Sequence, residues 1–390
     1  MLAAVVAALA LCGGIVRAAP AQPACADLER AVAAHAGTGA VFLASYPTVK
    51  DGPLQGAAFL YDNAAAVIAL QGCGAPDQAR RIGDGLLAAL ERDPFWHDGR
   101  LRNAYAAGVV APGPVKPSGW WDKGQNKWVE DAYQTASDSG NLAWAMLALL
   151  ALDRTAAENK RGDRRYLQGA ERLAGWLAER WDGEGFTGGF LGFEPTPQKL
   201  TWKSVEHNTD LAAAFRLLAA RTGDARWRMV SRRAESFVAA MWNPALKRYD
   251  AGSDQKKRDI TPALDAQLWP VLTIAGAHRA DVHRFAALDG YAYGAAKGVW
   301  TEGTAQAALF MAYTGNMAAY RRLLIAVEKR HDPNGFYRAA DKNLATGFQL
   351  AADPSVRREF FPLPHLGATA WAALAETRFN PFTQMTVPAP

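Results

Sequence analysis

Beyond residue 19, no apolar stretch of this 390-residue chain is long enough to cross a bilayer, so no stable membrane insertion is expected of the body of the protein. Three cysteines are present and no cysteine-histidine cluster has zinc spacing, so neither a metal site nor a cofactor is read from the sequence. No glycine-rich phosphate loop follows a strand and no Gly-x-Ser-x-Gly elbow occurs; Gly39, Gly188 and Gly189 are isolated turn or loop glycines. Excess charge is small as well. Lys and Arg number 43 against 38 Asp and Glu, spread along the chain, which argues against nucleic acid as a partner.

The exception to the first absence is the start. Residues 1–19 form a short apolar run ending at Val16-Arg17-Ala18, the small-residue pattern that a signal peptidase accepts. They are expected to be a secretory leader, with an uncleaved anchor or a lipid-modified Cys12 as the alternatives. The remaining 20–390, about 370 residues, is expected to form a single domain in the periplasm or outside the cell. In such a compartment Cys25 and Cys73 are expected to pair, pinning the mature amino terminus to the first helical hairpin.

What fills the chain is a repeated pattern. A polar or acidic cluster opens a run rich in Ala, Leu and aromatics, and a glycine turn closes it. The openings are Tyr61-Asp62-Asn63, Ser137-Asp138-Ser139, Ser204 to Asn208, Thr261 to Asp265, Thr301 to Thr304 and Pro364 to Thr369. The runs behind them, such as Leu142 to Leu152, Leu211 to Ala220 and Ala305 to Tyr313, are apolar nearly all round and predict helices buried on every side. Gly72, Gly223, Gly276 and Gly315 stand where a left-handed terminal residue ends a helix, and Thr261-Pro262 reads as a cap followed by a first-turn proline. Amphipathic segments alternate with the buried ones: Asp77 to Arg92, Arg164 to Trp181, Ala225 to Trp242 and Met317 to Lys329. Six such hairpins close most simply into an all-α double ring, an (α/α)6 toroid, with the buried helices inside, parallel, and their polar starts at one mouth. An open solenoid is the alternative, but the spacing of the openings is too uneven for a regular array. Long loops belong to the same mouth: Tyr105 to Asp131, with Trp120, Trp121 and Trp128, and Gly183 to Lys203, with Trp202. The charged stretch Asp250 to Asp259 reads as a solvated loop.

This hairpin pattern, with Glu206-His207-Asn208, Thr301-Glu302-Gly303 and Asn380-Pro381-Phe382, resembles the six-hairpin glycosidases, bacterial carbohydrate-active enzymes with an (α/α)6 toroid. The resemblance implies that fold and a poly- or oligosaccharide substrate. Glycoside hydrolysis needs a carboxylic acid to protonate the leaving oxygen and a carboxylate to activate water or attack directly. Five openings supply Asp62, Asp138, Glu206, Asp265 and Glu302. Helix axes roughly 10 Å apart around a hexagon leave inward side-chain tips roughly 7 to 8 Å apart across the ring, a spacing that suits an inverting mechanism. Helix amino termini should keep most of these acids ionised. Glu206 is expected to resist, covered by Trp202 and repelled by neighbouring carboxylates, and to act as general acid with Asp138 or Glu302 as base. Asp62, Asp265, Tyr61, His207, Asn208 and His365 are candidates to hold sugar hydroxyls, and Trp120, Trp121, Trp202 and Trp300 to stack on sugar rings. Two other readings stay open: a polysaccharide lyase or sugar epimerase, using Tyr61, His207 or His365 for proton transfer, and a non-catalytic carbohydrate-binding protein. A lyase would want a cationic mouth, for which only Arg100, Arg102 and Lys203 come forward.

Overall fold

The computed structural model describes residues 22–158, 163–255, 257–294, 297–349 and 357–388; the leader expected at 1–19, with Cys12, lies outside the described residues. Six helices form the inner ring: α2 (Leu60–Gly72), α4 (Ser139–Glu158), α6 (Val205–Thr222), α8 (Asp265–Thr273), α9 (Thr301–Tyr313) and α11 (Leu366–Thr377). Each packs on the next in that order and α11 returns to α2, closing the ring. Around them stand α1 (Pro23–Ala33), α3 (Pro76–Arg92), α5 (Arg165–Ala178), α7 (Ala225–Ala240) and α10 (Met317–Glu328). The expected double ring is therefore present.

Burial separates the two sets as their composition demands. In α9 every residue from Thr301 to Ala312 is buried, whereas α7 buries little more than Trp227, Val230, Ala234, Phe237 and Val238 along one face. The last inner helix, α11, takes as its outer partner α1 from the other end of the chain, and Cys25 of α1 is bonded to Cys73 at the end of α2, Cα to Cα 5.7 Å. On the ring axis, away from the mouth, Trp144, Trp269 and Trp371 meet one another at centroid distances of 5.6 to 5.9 Å. Phe382 packs against all three. The Asn380-Pro381-Phe382 segment is held there by Asn380 Nδ2 on the Leu272 carbonyl and Gln384 Nε2 on that of Leu147.

Local details differ from the sequence reading in four places. Gly72 is the last helical residue of α2, and the left-handed turn falls on Gly74; Gly223, Gly276 and Gly315 do adopt positive φ. Thr261 and Pro262 precede α8 without capping it, since the helix begins at Asp265. With Pro270 inside it α8 is short, and its outer leg is a 3-10 turn, Val282–Phe285, in place of an α-helix. The stretch from Asp250 is no free loop: Gly252–Asp254 pairs with Lys257–Asp259, and the Asp250 carboxylate is buried against Arg258 and Asn243.

One contact recurs around the ring. A polar side chain near the start of an inner helix binds the backbone of the short strand or loop that returns from the preceding outer element. In α2, Asn63 Oδ1 accepts the Leu43 N–H at 2.9 Å and Nδ2 donates to the Leu43 carbonyl at 3.0 Å. Asn208 does the same to Phe186 at 2.9 and 3.1 Å, and Gln267 to Tyr249 at 2.8 and 3.0 Å. Thr304 and Thr369 accept from the N–H groups of Tyr291 and Tyr337 at 3.0 and 2.9 Å. Each anchored residue has its own side chain buried. In α4, Asn141 reaches instead the side chain of Asn103, which also accepts the Asp138 N–H and donates to the Tyr133 carbonyl.

Asn208→Ala strands both backbone groups of buried Phe186. It is expected to lower the unfolding free energy by about 2 to 3 kcal/mol in urea titration; an unchanged midpoint would show that the clamp carries no weight.

Candidate active site

Residues two apart on an α-helix point about 200° apart. Because the clamp residue turns outward to its strand, the residue two before it turns toward the axis. Those positions are Tyr61, Ser139, Glu206, Asp265, Glu302 and Gly367. Asp62 and Asp138 lie one residue off this register and His365 two, and all reach the same mouth, as their contacts and fields demonstrate.

Glu302 Oε1 receives the Tyr61 hydroxyl at 2.6 Å and Gln306 Nε2 at 3.1 Å. The Tyr61 oxygen is itself bonded by the Trp371 indole N–H at 2.7 Å, so its own proton is directed to Glu302. His365 Nδ1 accepts the Ala368 N–H at 3.2 Å, which leaves Nε2 as the N–H facing Asp62 Oδ2 at 3.3 Å. Asp265 Oδ1 accepts the Ala266 N–H. Glu206 is half-buried, and its carboxyl makes no hydrogen bond among the described residues. Two glycines let these groups close in: a Cβ on Gly367 would lie 2.5 Å from Asp62 Oδ1, and one on Gly140 would lie 2.4 Å from His207 Cδ2.

At Glu206, Asp138, Asp265 and Glu302 burial outweighs the helix amino termini, which would keep the acids ionised. It pushes Glu302 up to about 7 against the donated Tyr61 bond, Asp138 to about 7 against Asn103 and Arg358, and Asp265 to about 6. Glu206 is raised well above the usual carboxylate range by burial, then by the fields of Asp265, Asp210, Glu302 and Asp138. Burial lowers His207 to about 4 and also opposes charge on His365, where Asp62 prevails and leaves the imidazole raised.

Of the residues singled out in the sequence, Tyr61, Asp62, Asp138, Glu206, His207, Asp265, Glu302 and His365 are thus brought together. Trp202 packs on His207 at 5.2 Å rather than over Glu206. Asn208 is a correction: its amide is spent on Phe186 and on the Ser204 carbonyl, facing away from the mouth. Trp300 is another, only 3% exposed between Tyr293 and Phe360, where no sugar face reaches it. Trp120 and Trp121 sit on a rim hairpin, Trp120–Asp122 with Lys127–Val129, and make no ring contact or hydrogen bond to the acids among the described residues. Arg100, Arg102 and Lys203 are each neutralised, by Asp98, by Asp93 with Glu194, and by Asp182 with Glu184.

Several lining residues escape a sequence reading. Tyr133 feels the fields of Asp138 and Glu206, and Tyr293 those of Asp265, Glu206 and Glu302. Arg358 and Phe360 arrive on a strand, Arg357–Phe360, paired with Leu344–Gln349. The sequence Arg357-Arg358-Glu359-Phe360-Phe361, charged then aromatic, has no strand alternation and says nothing of where that strand lies.

No protein-family model matches the chain, and no curated protein does. Solved structures do. A glycosidase variant in complex with glucose is similar with a TM-score of 0.62 at 14% identity, over 92% of this chain and 96% of that one. An alpha-amylase from Clostridium perfringens gives 0.59 at 10% identity, covering 92% and 97%. Cellobiose 2-epimerase from Spirochaeta thermophila gives 0.57 at 13%, covering 90% and 93%. At these identities the likeness is one of fold: the chain adopts an (α/α)6 toroid.

Acids whose folded pKa is raised hold protons that the unfolded chain has already released, so between about pH 4.5 and 7 the folded state binds more protons and loses stability as pH rises. His365 works in the same direction and His207 in the opposite one. The thermal midpoint is expected to be higher at pH 5.5 than at pH 8, and Glu206→Gln should narrow the gap. A midpoint that climbs with pH over this range would mean that burial does not hold these acids protonated.

Proposed function

We propose that this six-hairpin toroid is a glycoside hydrolase, with Glu206 as general acid and Glu302 as the carboxylate that activates water. The observation that carries the reading is the contrast between the two. Glu206 has no hydrogen-bond partner among the described residues and is held protonated by burial and by its acidic neighbours, which suits donation to a leaving oxygen. Glu302, raised to about 7, accepts bonds from Tyr61 and Gln306 that favour its ionised form. A retaining pair would need carboxyls roughly 5 Å apart, whereas α6 and α9 are separated in the ring by α8, so tips of roughly 7 Å and an inverting reaction fit better. Asp138, Asp62 and Asp265 then hold sugar hydroxyls. Glycosidases recur among proteins of similar fold. Export fits the same reading, because a Cys25–Cys73 bond persists in an oxidising compartment.

One observation favours a second reading, a sugar epimerase. The Asp62–His365 pair is a buried base with an oriented N–H, and a cellobiose 2-epimerase shares the fold. A lyase gains nothing, since the basic residues expected for it are already paired.

Incubated with a panel of neutral glycans, the mature protein is expected to release reducing ends of inverted configuration by NMR. Glu206→Gln and Glu302→Gln should each lower kcat by at least about a thousandfold while oligosaccharide binding survives. Activity should rise with pH through about 7 as Glu302 ionises and fall at higher pH as Glu206 does. Interconversion of epimers without new reducing ends would replace this reading with the second.

A further inference from the structure

We propose that Arg358 is a specificity-determining residue that donates hydrogen bonds to an uncharged sugar bound at this mouth, an inference that rests on the hydrolase reading. Its strand crosses three walls of the mouth. Phe360 stacks on Trp300 at 5.3 Å and meets Tyr293 at 5.7 Å, while neighbouring Phe361 abuts Tyr46 at 6.0 Å. Arg358 is thereby laid over Tyr133, its guanidinium carbon 3.7 Å from the ring centroid, beside the acids that act on that tyrosine.

The guanidinium lies over an aromatic ring, and its N–H groups remain to donate. Its closest carboxylate is a loose one: Asp131 Oδ1 at 3.8 Å, an atom already accepting the backbone N–H groups of Tyr133 and Gln134 at 3.0 and 3.1 Å. No hydrogen bond from the guanidinium to a described residue is formed. Five N–H donors in a rigid plane therefore face a site whose other polar groups are mainly carboxylates. Sugar hydroxyls are donors and acceptors at once. The carboxylates take their protons, and their oxygens need a donor such as Arg358.

Charge narrows the class of sugar. The other basic residues expected near the mouth are consumed by carboxylates and His365 faces Asp62, so a uronic acid would add a negative charge where burial already disfavours charge on Glu206, Glu302, Asp138 and Asp265, with Arg358 as the cation left to meet it among the described residues. Desolvation in a largely buried site makes that unfavourable, while a neutral pyranose meets no such cost.

The test uses the full mature chain, with Arg358→Ala and Arg358→Lys, folding being checked by thermal denaturation. Binding of neutral oligosaccharides is followed by calorimetry in the Glu206→Gln background, and turnover in the native background. Arg358→Ala is expected to weaken binding about tenfold or more, and Arg358→Lys, which keeps the charge but loses the planar fork, to restore only part of it. The native enzyme is expected to prefer carboxyl-reduced polymers over their uronate parents. Unchanged affinity in Arg358→Ala, or faster attack on the uronate form, overturns the proposal. Absence of turnover on every glycan with the binding loss intact would instead defeat the hydrolase reading and leave Arg358 as a sugar contact.

Discussion

The interaction on which the toroid depends is the clamp between each inner helix and the strand returning from the layer outside it. Bundled helices are free to slide by a turn, because apolar ridges repeat. An amide that accepts and donates to one backbone residue, as Asn63, Asn208 and Gln267 do, removes that freedom. It also satisfies peptide groups that burial would otherwise strand. Register at the mouth follows. With the clamp fixed outward, the residue two earlier is fixed inward, and chemistry placed there is positioned without any contact of its own.

Burial is the second consequence. A carboxylate at a helix amino terminus is ordinarily stabilised by the N–H groups around it. Here the ring closes around several at once and desolvation wins, joined at Glu206 and Glu302 by neighbouring carboxylates: Glu302 and Asp138 rise to about 7, and Glu206 is raised well above the usual carboxylate range. The difference between acids then comes from local donors. Tyr61 and Gln306 serve Glu302, and no described residue serves Glu206. A chain of indole to phenol to carboxylate, Trp371 to Tyr61 to Glu302, ties that distinction to the packed axis of the fold.

The ring itself was legible in the sequence because burial on all sides leaves a compositional trace, and so was the convergence of Asp138, Glu206 and Glu302, since acids at the starts of parallel helices must meet. Orientation within an opening was harder to read. Asn208 looks like its neighbours Glu206 and His207 until the 200° between residues two apart is combined with a strand that only the fold supplies. Trp300 failed for a related reason: an aromatic next to an acid is as useful to a packed wall as to a sugar, and Phe360 makes it a wall. Arg358 and Tyr133 could not be paired from sequence at all, since they lie more than 200 residues apart and belong to no repeat. Missing outer helices are illegible in another way. α8 carries Pro270 within it and is followed by a short polar stretch, and a 3-10 turn is enough to carry the chain back.

A ring with an acid at every inward position would repel itself apart, and the chain departs from its own repeat where that matters. The inward acids stand on three consecutive helices, α6, α8 and α9, while at the same position the other three carry Gly367, Tyr61 and Ser139, whose hydroxyl donates to the Thr187 carbonyl. Into the space so left come groups from displaced registers: His365 with Asp62 beside Gly367, and Asp138 beside Ser139. The result is a mouth with two unlike sides, one of carboxyls at the repeat position and one where a phenol, an imidazole and two acids are held by specific bonds. Acid–base chemistry needs two groups in different protonation states, and a symmetric ring offers only equivalent ones. Glu206 and Glu302 both stand at the repeat position and are made unlike by their donors, Tyr61 reaching Glu302 from the facing side and Gln306 from its own helix, while the clamps keep both halves in one frame.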